Sequence, residues 1–238
     1  FPKELAGRLY KHDIPFYPEE KLPELIKKFN VDTVYLCYSD LSAQNVLDKA
    51  SLVLANSANF ELLGTNATYL KSKKPIISVT AVRTGSGKSR VTKKIATYLR
   101  NKNYKVIVVR HPMPYGDLKR EEVEMFHKYT DLMKYNTTIE EREEYEQYVK
   151  NQIPIYAGVN YSKILKEAEK RADIIIWDGG NNDWSFFKPD LNIVLTDPRR
   201  AGNELTYYPG QVNLRMADII LIHKMSGTTI ENLKIVHE

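Results

Sequence analysis

The stretch IISVTAVRTGSGKS, residues 76–89, decides the fold of this chain. Its apolar first half predicts a strand, a turn with two glycines follows, and an amphipathic helical pattern begins at Lys88. A strand, a glycine-bearing turn and a helix in this order describe a phosphate-binding P-loop. The backbone N–H groups of such a turn converge on phosphate oxygens, and the dipole of the following helix adds a favourable potential for anions.

This loop predicts specific roles for its side chains. Lys88 is expected along the β- and γ-phosphates, and the Ser89 hydroxyl is expected to reach Mg²⁺. Glycines at 85 and 87 allow a positive φ and a close approach of the backbone. The alternative is a chance glycine turn before a helix, which the flanking strand and apolar stripe disfavour. The residues expected to bind nucleotide are Thr84, Gly85, Ser86, Gly87, Lys88, Ser89, Arg90, Gly180 and Lys224.

Composition limits the class of protein. With 238 residues and 42% hydrophobic residues, the chain suits one or two domains with a real core. Its apolar runs are strand-sized, so no membrane partner is predicted. The single cysteine, Cys37, excludes an internal disulfide, fits a cytoplasmic location, and is expected to be a buried inert thiol. The net charge of +5 favours an acidic ligand, but scattered basic residues without interleaved aromatic residues argue against nucleic acid.

The pattern of elements predicts two α/β parts. Residues 1–72 are expected to form a Rossmann-like α/β domain that is incomplete at its N-terminus, because the chain begins with Phe1 and this half-sheet would be poorly covered alone. A polar hinge follows at residues 71–75. The elements predicted in the first part are strands at 14–17, 33–38 and 60–63 and helices at 19–29 and 43–50.

Residues 73–238 are predicted to form a P-loop NTPase domain. Alternating strands and helices favour a doubly wound parallel sheet with ligands at the carboxyl ends of its strands. A long insertion carries candidate capping boxes at Thr137 and Thr138 and an acid-rich helix, residues 140–146, expected to be a solvated face. The other elements predicted here are strands at 76–81, 105–110, 173–178, 191–195 and 218–223 and helices at 88–101 and 161–171.

Two strand ends carry candidate catalytic residues. An apolar strand ends in Asp178 and two glycines. In P-loop enzymes an Asp at this place holds Mg²⁺, often through water, and a following glycine N–H can sense the γ-phosphate. Residues 181–183 (Asn-Asn-Asp) either orient a nucleophile or form an Asx-rich turn. After the strand at 105–110, Arg110 and His111 are expected to face an anionic substrate, and Asp117 to be a second Mg²⁺ ligand or a base. The alternative for this segment is a rigid surface loop.

Two further strand ends carry residues that are candidates for binding an anion or for recognising the nucleotide base. Arg199 and Arg200 either recognise a phosphate or carboxylate or form a solvated basic turn. Residues 223–226 (His-Lys-Met-Ser) stand where GTPases carry Asn-Lys-x-Asp. Because the carboxylate that grips guanine is replaced by Ser226, ATP is favoured, with GTP as the alternative. The histidines form no ligand cluster with the cysteine, so Mg²⁺ is the metal expected and zinc is not.

Several long stretches resemble the cyclic 2,3-diphosphoglycerate synthetase-like family, also described as predicted GTPases. The resemblance implies a P-loop NTPase of the signal-recognition and MinD type preceded by a Rossmann-like domain, and an ATP-dependent reaction on a phosphorylated acid. Arg83 stands where MinD-related ATPases carry a signature lysine. The stretches that carry the resemblance are residues 71–75, 82–85, 110–117, 138–146, 177–183 and 207–210.

These observations predict a Mg²⁺-dependent nucleoside triphosphatase or phosphoryl-transfer enzyme that acts on a small anionic metabolite. The alternative is a nucleotide-operated switch with slow hydrolysis and a protein partner, in which Arg83 reaches across a nucleotide-sandwiched homodimer. A third reading is a module that binds nucleotide without turnover. The predicted catalytic residues are Lys88, Arg83, Asp117 and Asp178, and the predicted metal ligands are Ser89, Asp178 and Asp117.

Overall fold

A computed structural model describes residues 1–113 and 116–237 of the chain. The strands are β1 (Thr33–Tyr35), β2 (Leu41–Ser42), β3 (Asn59–Glu61), β4 (Ile76–Ala81), β5 (Val106–Val109), β6 (Glu124–Phe126), β7 (Ile155–Ala157), β8 (Ile174–Trp177), β9 (Leu191–Thr196), β10 (Tyr207–Tyr208) and β11 (Ile219–Ile222). The α-helices are α1 (Lys3–Ala6), α2 (Leu22–Phe29), α3 (Ala43–Ala55), α4 (Thr65–Thr68), α5 (Lys88–Asn101), α6 (Tyr129–Lys134), α7 (Ile139–Val149), α8 (Tyr161–Glu169), α9 (Asn203–Thr206), α10 (Gly210–Arg215) and α11 (Ile230–His237).

A seven-stranded sheet in the order β11-β9-β4-β8-β5-β7-β6 organises the molecule. Its strands run parallel except β6, which pairs antiparallel with β7 at the edge. Strand β5 is buried on both faces, which explains its unbroken run of Val and Ile. Its Val108 belongs to the core beneath α5 and α7, and its Ile107 to the core beneath α8. The predicted doubly wound α/β architecture is therefore present.

Local sequence signals predicted the elements around the P-loop well. Strand β4 and helix α5 have the predicted bounds, and β5, β8, β9 and β11 lie inside their predicted ranges or within one residue of them. Helix α7 begins with the predicted capping box, in which Thr138 and Glu141 bond reciprocally. The insertion also contains β6, β7 and α6, which were not predicted from the sequence. The two strands have three residues each, too few for a clear periodicity.

Residues 1–72 form less sheet than predicted. Strands β1 and β3 make a two-stranded parallel pair, and β2 pairs antiparallel with β10 of the second part. The strand predicted at residues 14–17 is absent, because this segment has no neighbouring strand and exposes Phe16. Strand β1 ends at Tyr35, so Cys37 is exposed, and the expectation of a buried thiol is wrong.

The segment between α4 and β4 is hydrogen-bonded to the second part of the chain. The backbone of Leu70 pairs with Phe186 and Lys188, and the N–H of Lys73 donates to Glu169 at 2.6 Å. A domain boundary near residue 72 stays a prediction. Within residues 1–113 and 116–237, no helix is both long and apolar enough to cross a membrane.

Candidate active site

The phosphate loop lies at the carboxyl end of β4 and leads directly into α5. Gly85 and Gly87 have φ angles of 70° and 102°, as the sequence predicts for this turn. A Cβ atom on residue 87 would lie 2.6 Å from the imidazole of His223. Glycine at 87 is therefore required both by the backbone conformation and by the close approach of His223.

The carbonyl groups of residues 83–86 in this loop are hydrogen-bonded. Arg83 O accepts a hydrogen bond from Ser86 Oγ at 2.9 Å, and Thr84 O accepts one from Arg200 Nη2 at 2.7 Å. Gly85 O accepts from Lys224 Nζ, and Ser86 O lies 2.8 Å from His223 Nδ1. In the described part of the chain, no acceptor bonds the N–H groups of residues 85, 86 or 87. Side chains around the loop thus fix a backbone whose donors remain available for an anion.

Arg200 and His223 have different roles from those predicted. The Arg200 guanidinium also lies 3.2 Å from Asp197 Oδ2, so it supports the loop rather than forming a solvated turn or a free anion site. His223, at the position expected for base recognition, contacts the loop instead. Sequence patterns could not reveal either contact, because each joins residues more than a hundred positions apart.

A cavity of about 730 Å³ opens in front of the loop. It lies at the carboxyl ends of β4, β5 and β8, where the sequence analysis expects ligands. Its lining also includes residues 37–39, which belong to the first part of the chain and carry no motif. Predicted residues in the lining are Thr84, Gly85, Gly87, Lys88, Ser89, Arg90, Arg110, His111, Gly180, Asn181 and Asp183.

Lys88 is buried at the inner end of this cavity. Its ammonium group donates to the carbonyl of Asn181, which connects the loop to the segment after β8. Burial lowers the pKa of Lys88 to about 8, although the negative charge of Asp178 opposes this shift. An incoming phosphate would supply the opposite charge that this buried cation lacks.

Asp178 is fully buried and accepts hydrogen bonds at both carboxylate oxygens. Thr92 Oγ1 donates to Oδ1 at 3.0 Å, while Arg110 Nη1 (2.8 Å) and the Tyr148 hydroxyl donate to Oδ2. Burial, reinforced by the Asp178 charge, raises the pKa of Tyr148, so this hydroxyl remains a proton donor. The carboxylate is therefore already satisfied by neighbouring side chains.

Arg110 lies between two of the three predicted Mg²⁺ ligands, Ser89 and Asp178. Its Nη1 lies 3.0 Å from Ser89 Oγ and 2.8 Å from Asp178 Oδ2, and its Nη2 pairs with Glu144. Although burial acts to lower the pKa of Arg110, Asp178 and Glu144 outweigh it and raise the pKa. Glu144 is half-buried and faces the cavity, so the acid-rich part of α7 is not simply a solvated face as predicted.

The predicted metal ligands differ in how well they suit Mg²⁺. The Ser89 hydroxyl borders the cavity and is a suitable oxygen ligand. Asp178 does not fit as a direct ligand in this arrangement, because Thr92 already donates to one of its oxygens, and Arg110 and Tyr148 to the other. Within the described residues, no group of three or more His, Cys, Asp or Glu side chains could hold a metal.

Asp117 lies away from this chemistry, contrary to its predicted role as a metal ligand or base. Its side chain is more than half exposed, pairs with Arg120 at 3.6 Å, and is absent from the cavity lining. Asp117 does not lie at the end of β5 itself, and its closeness to this strand along the chain did not bring it to the cavity. Pro114 and Tyr115 of this predicted loop lie outside the described residues.

Arg83 also points elsewhere. Its Nε pairs with Asp40 at 2.9 Å, its Nη1 donates to Asn203 Oδ1 at 2.6 Å, and its guanidinium lies 3.5 Å from the ring centre of Tyr207. Asp40 Oδ2 additionally accepts from the Thr84 hydroxyl at 2.9 Å. The expectation that Arg83 faces the phosphates is not met, because these partners hold it against residues 39–42 and 203–207.

A further cavity of about 390 Å³ also borders the loop. It is lined by Gly85, Gly87, Arg90, Arg199, His223 and Lys224. Two residues predicted to bind nucleotide, Arg90 and Lys224, therefore lie together there, although nucleotide binding by these residues stays a prediction. Arg199 is exposed and donates to the carbonyl of Ser226 at 2.9 Å.

Comparison with known proteins supports this architecture. The chain is 51% identical over 238 residues to arginine synthetase ArcE of Thermococcus kodakarensis, a match that includes the whole chain and 53% of that protein. The chain thus spans about half the length of this curated relative. No protein-family model matches the chain.

A solved structure supports the fold. The structure of LpxK from Aquifex aeolicus in complex with ATP matches with a TM-score of 0.52 and 15% identity, over 76% of this chain and 55% of LpxK. A ParA family ATPase from Chlorobium tepidum matches with a TM-score of 0.40 and 17% identity, over 69% of this chain and 81% of that one. The chain has the predicted P-loop NTPase fold. Its resemblance to the cyclic 2,3-diphosphoglycerate synthetase-like family stays a prediction.

Proposed function

We propose that this chain carries the ATP-binding and phosphoryl-transfer site of a synthetase that forms arginine. The phosphate loop carries the proposal: its carbonyls are hydrogen-bonded, the N–H groups of residues 85–87 have no acceptor within the described residues, and the loop borders a cavity that Lys88 and Arg110 also line. The name of the relative at 51% identity supports arginine as the product. As the chain spans only part of that relative, the activity belongs to our proposal for the whole protein.

The two cavities beside the loop suggest how the nucleotide lies. We assign the base and ribose to the cavity around Arg199 and Lys224, and the γ-phosphate to the large cavity. ATP is the proposed nucleotide, since Ser226 lacks the carboxylate that would bind guanine. The accompanying Mg²⁺ would neutralise phosphate charge, and Ser89 is the residue that would hold it.

Lys88 and Arg110 are the residues proposed to stabilise the transferred phosphoryl group. Both are buried cations that line the large cavity, and Arg110 Nε has no partner within the described residues. Charge-stabilising arginines in phosphoryl transfer are worth about 10³–10⁵ in rate. Asp178 acts through Arg110: the 2.8 Å ion pair fixes the guanidinium where the γ-phosphate would arrive.

The reaction class follows from what a synthetase for arginine must do. An acceptor oxygen on a ureido-type carbon attacks the γ-phosphorus and releases ADP. The new carbon–oxygen–phosphorus linkage makes that oxygen a leaving group. A nitrogen nucleophile then forms the carbon–nitrogen bond, and phosphate departs with the oxygen. The proposed partner is therefore a small metabolite with an activatable oxygen.

The alternative of a nucleotide-operated switch depended on Arg83 reaching a second copy of the chain. The contacts of Arg83 with Asp40, Asn203 and Tyr207 are all internal, so they favour the enzyme over the switch.

Reversal of the proposed reaction tests the function without knowledge of the nitrogen donor. The protein is supplied with L-arginine, ADP, phosphate and Mg²⁺, and ATP is measured by luciferase. We expect ATP formation that requires L-arginine and disappears in Lys88→Ala. If the protein binds neither ATP nor ADP by calorimetry, the proposal fails. If it binds them but forms no ATP from L-arginine, another acceptor class is indicated and arginine is rejected.

A further inference from the structure

We infer that a small apolar cavity ending at Asp183 binds the side chain of the arginine-type substrate or product, with Asp183 as the partner of its cationic end. This inference rests on the proposed function and names the acceptor-binding part of the same site. It also gives residues 1–72 a role, because one wall of the cavity comes from them.

The cavity adjoins the place where phosphoryl transfer is proposed. It has a volume of about 190 Å³ and shares Cys37, Tyr38 and Asp183 with the large cavity. A volume below the range of roughly 300–1,000 Å³ for drug-sized ligands suits a short aliphatic chain and excludes a nucleotide. A ligand in it would therefore direct one end toward the phosphate loop.

The walls are apolar and fixed by neighbouring contacts. Leu36 and Leu63 come from the first part of the chain, and Trp184, Phe186 and Tyr208 from the second. The Trp184 indole donates to Thr68 Oγ1 at 3.0 Å and meets the Tyr208 ring edge-on at 6.4 Å. Such walls favour methylene groups over charged ones.

Asp183 is the charged group at the boundary between the two cavities. Within the described residues, no hydrogen bond or ion pair engages its half-buried carboxylate, unlike the fully bonded carboxylate of Asp178. Its Oδ2 lies 3.4 Å from where a Cβ on Gly180 would be, so it lies beside the segment expected to face the γ-phosphate.

The combination selects a ligand chemistry. A carboxylate next to an apolar cavity matches a cation carried on several methylenes, and a guanidinium binds a carboxylate through two parallel hydrogen bonds. Placing this cation at Asp183 also brings the guanidinium carbon to the border of the phosphoryl-transfer cavity. That is where the proposed carbon–nitrogen bond must form.

Calorimetry on the ADP-saturated protein tests this assignment. L-arginine is compared with L-norvaline, which keeps the aliphatic side chain but lacks the guanidinium. We expect Asp183→Asn to weaken L-arginine binding about ten-fold or more, because the guanidinium loses a charge-assisted partner. ADP affinity should be unchanged. The matched control is Asp48→Asn, which neutralises an exposed carboxylate on α3, outside both cavities.

A second variant keeps the inference testable if Asp183→Asn perturbs folding. Leu63→Trp fills the cavity from an exposed position and should abolish L-arginine binding while ADP still binds. Equal affinity of wild type and both variants for L-arginine would overturn the inference, as would binding of L-norvaline as tight as that of L-arginine. Failure to bind ADP would instead reject the proposed function.

Discussion

The large cavity at the phosphate loop and the small cavity at Asp183 are built in opposite ways. The first is lined by backbone N–H groups and by buried charges that neighbouring residues hold in place, as Asp178 holds Arg110. The second has apolar walls and one carboxylate without a partner in the described residues. The difference indicates a division of work: the first cavity supplies charge for phosphoryl transfer, and the second selects the molecule that receives it.

Among these changes, removal of Lys88 should impair phosphoryl transfer at the large cavity most severely. In Lys88→Ala the buried cation beside the loop is lost, and nucleotide turnover should fall by about 10³-fold or more. Phosphate release with ATP measures this effect. Circular dichroism should show an intact fold, and unchanged turnover would reject the assignment of the loop.

Loss of Arg110 should test whether the charges of that cavity depend on one another. Arg110→Ala leaves Asp178 buried without its cation, which should lower the free energy of unfolding by about 3–5 kcal/mol. Urea denaturation gives the value. Arg199→Ala, which removes an exposed guanidinium, should change stability by no more than about 0.5 kcal/mol. Equal effects of the two substitutions would show that Asp178 does not rely on Arg110.

The pH dependence of nucleotide binding should distinguish the two cavities, because Lys88 lines the large cavity and not the small one. Its pKa in the empty protein is about 8, below its usual value of 10.5. A bound triphosphate favours the ammonium form and raises this pKa, so binding above pH 8 must take up a proton. Affinity should be flat below pH 8 and fall by up to about ten-fold per unit above it.

Calorimetry with a non-hydrolysable ATP analogue between pH 7 and 9.5 measures this dependence. Lys88→Arg is the control, because its guanidinium stays charged throughout and the slope assigned to residue 88 should disappear. A wild-type affinity that does not change up to pH 9.5 would contradict the assignment.

The smallest effect concerns the ion pair of Asp40 and Arg83 beside the phosphate loop. A double-mutant cycle of Asp40→Ala and Arg83→Ala should give a coupling of about 1 kcal/mol, since both side chains are mostly buried. The exposed pair of Glu19 and Lys49 offers a matched cycle, with an expected coupling below about 0.5 kcal/mol. Unfolding free energies provide both values, and equal couplings would show that the contact at Asp40 has no special strength.

Sequence predicted the large cavity far better than the small one. The strand, turn and helix at residues 76–101 are specified by nearby residues, so their bounds and glycine conformations follow from local patterns. Position at a strand end also predicted that Asp178, Arg110 and His111 would lie near the loop, although it could not show that Arg110 pairs with Asp178.

What sequence missed depends on contacts between distant segments. Arg83 is directed by Asp40 and Tyr207, and His223 by the loop carbonyl at Ser86, pairings without any local signature. The walls of the small cavity come from residues 36–68 and 183–209, whose adjacency exists only after folding. The predicted position of Asp117 was wrong for the opposite reason. Asp117 is close to β5 along the chain, but it is exposed and pairs with Arg120 instead.

The turn at residues 37–40 has a thermodynamic consequence. Its Asp40 holds Arg83 and Thr84 of the phosphate loop, while Cys37 and Tyr38 border both cavities. Two ligands would thus act on a single short peptide segment. Linkage then requires symmetry: the factor by which nucleotide changes affinity for the second ligand must equal the factor by which that ligand changes affinity for nucleotide.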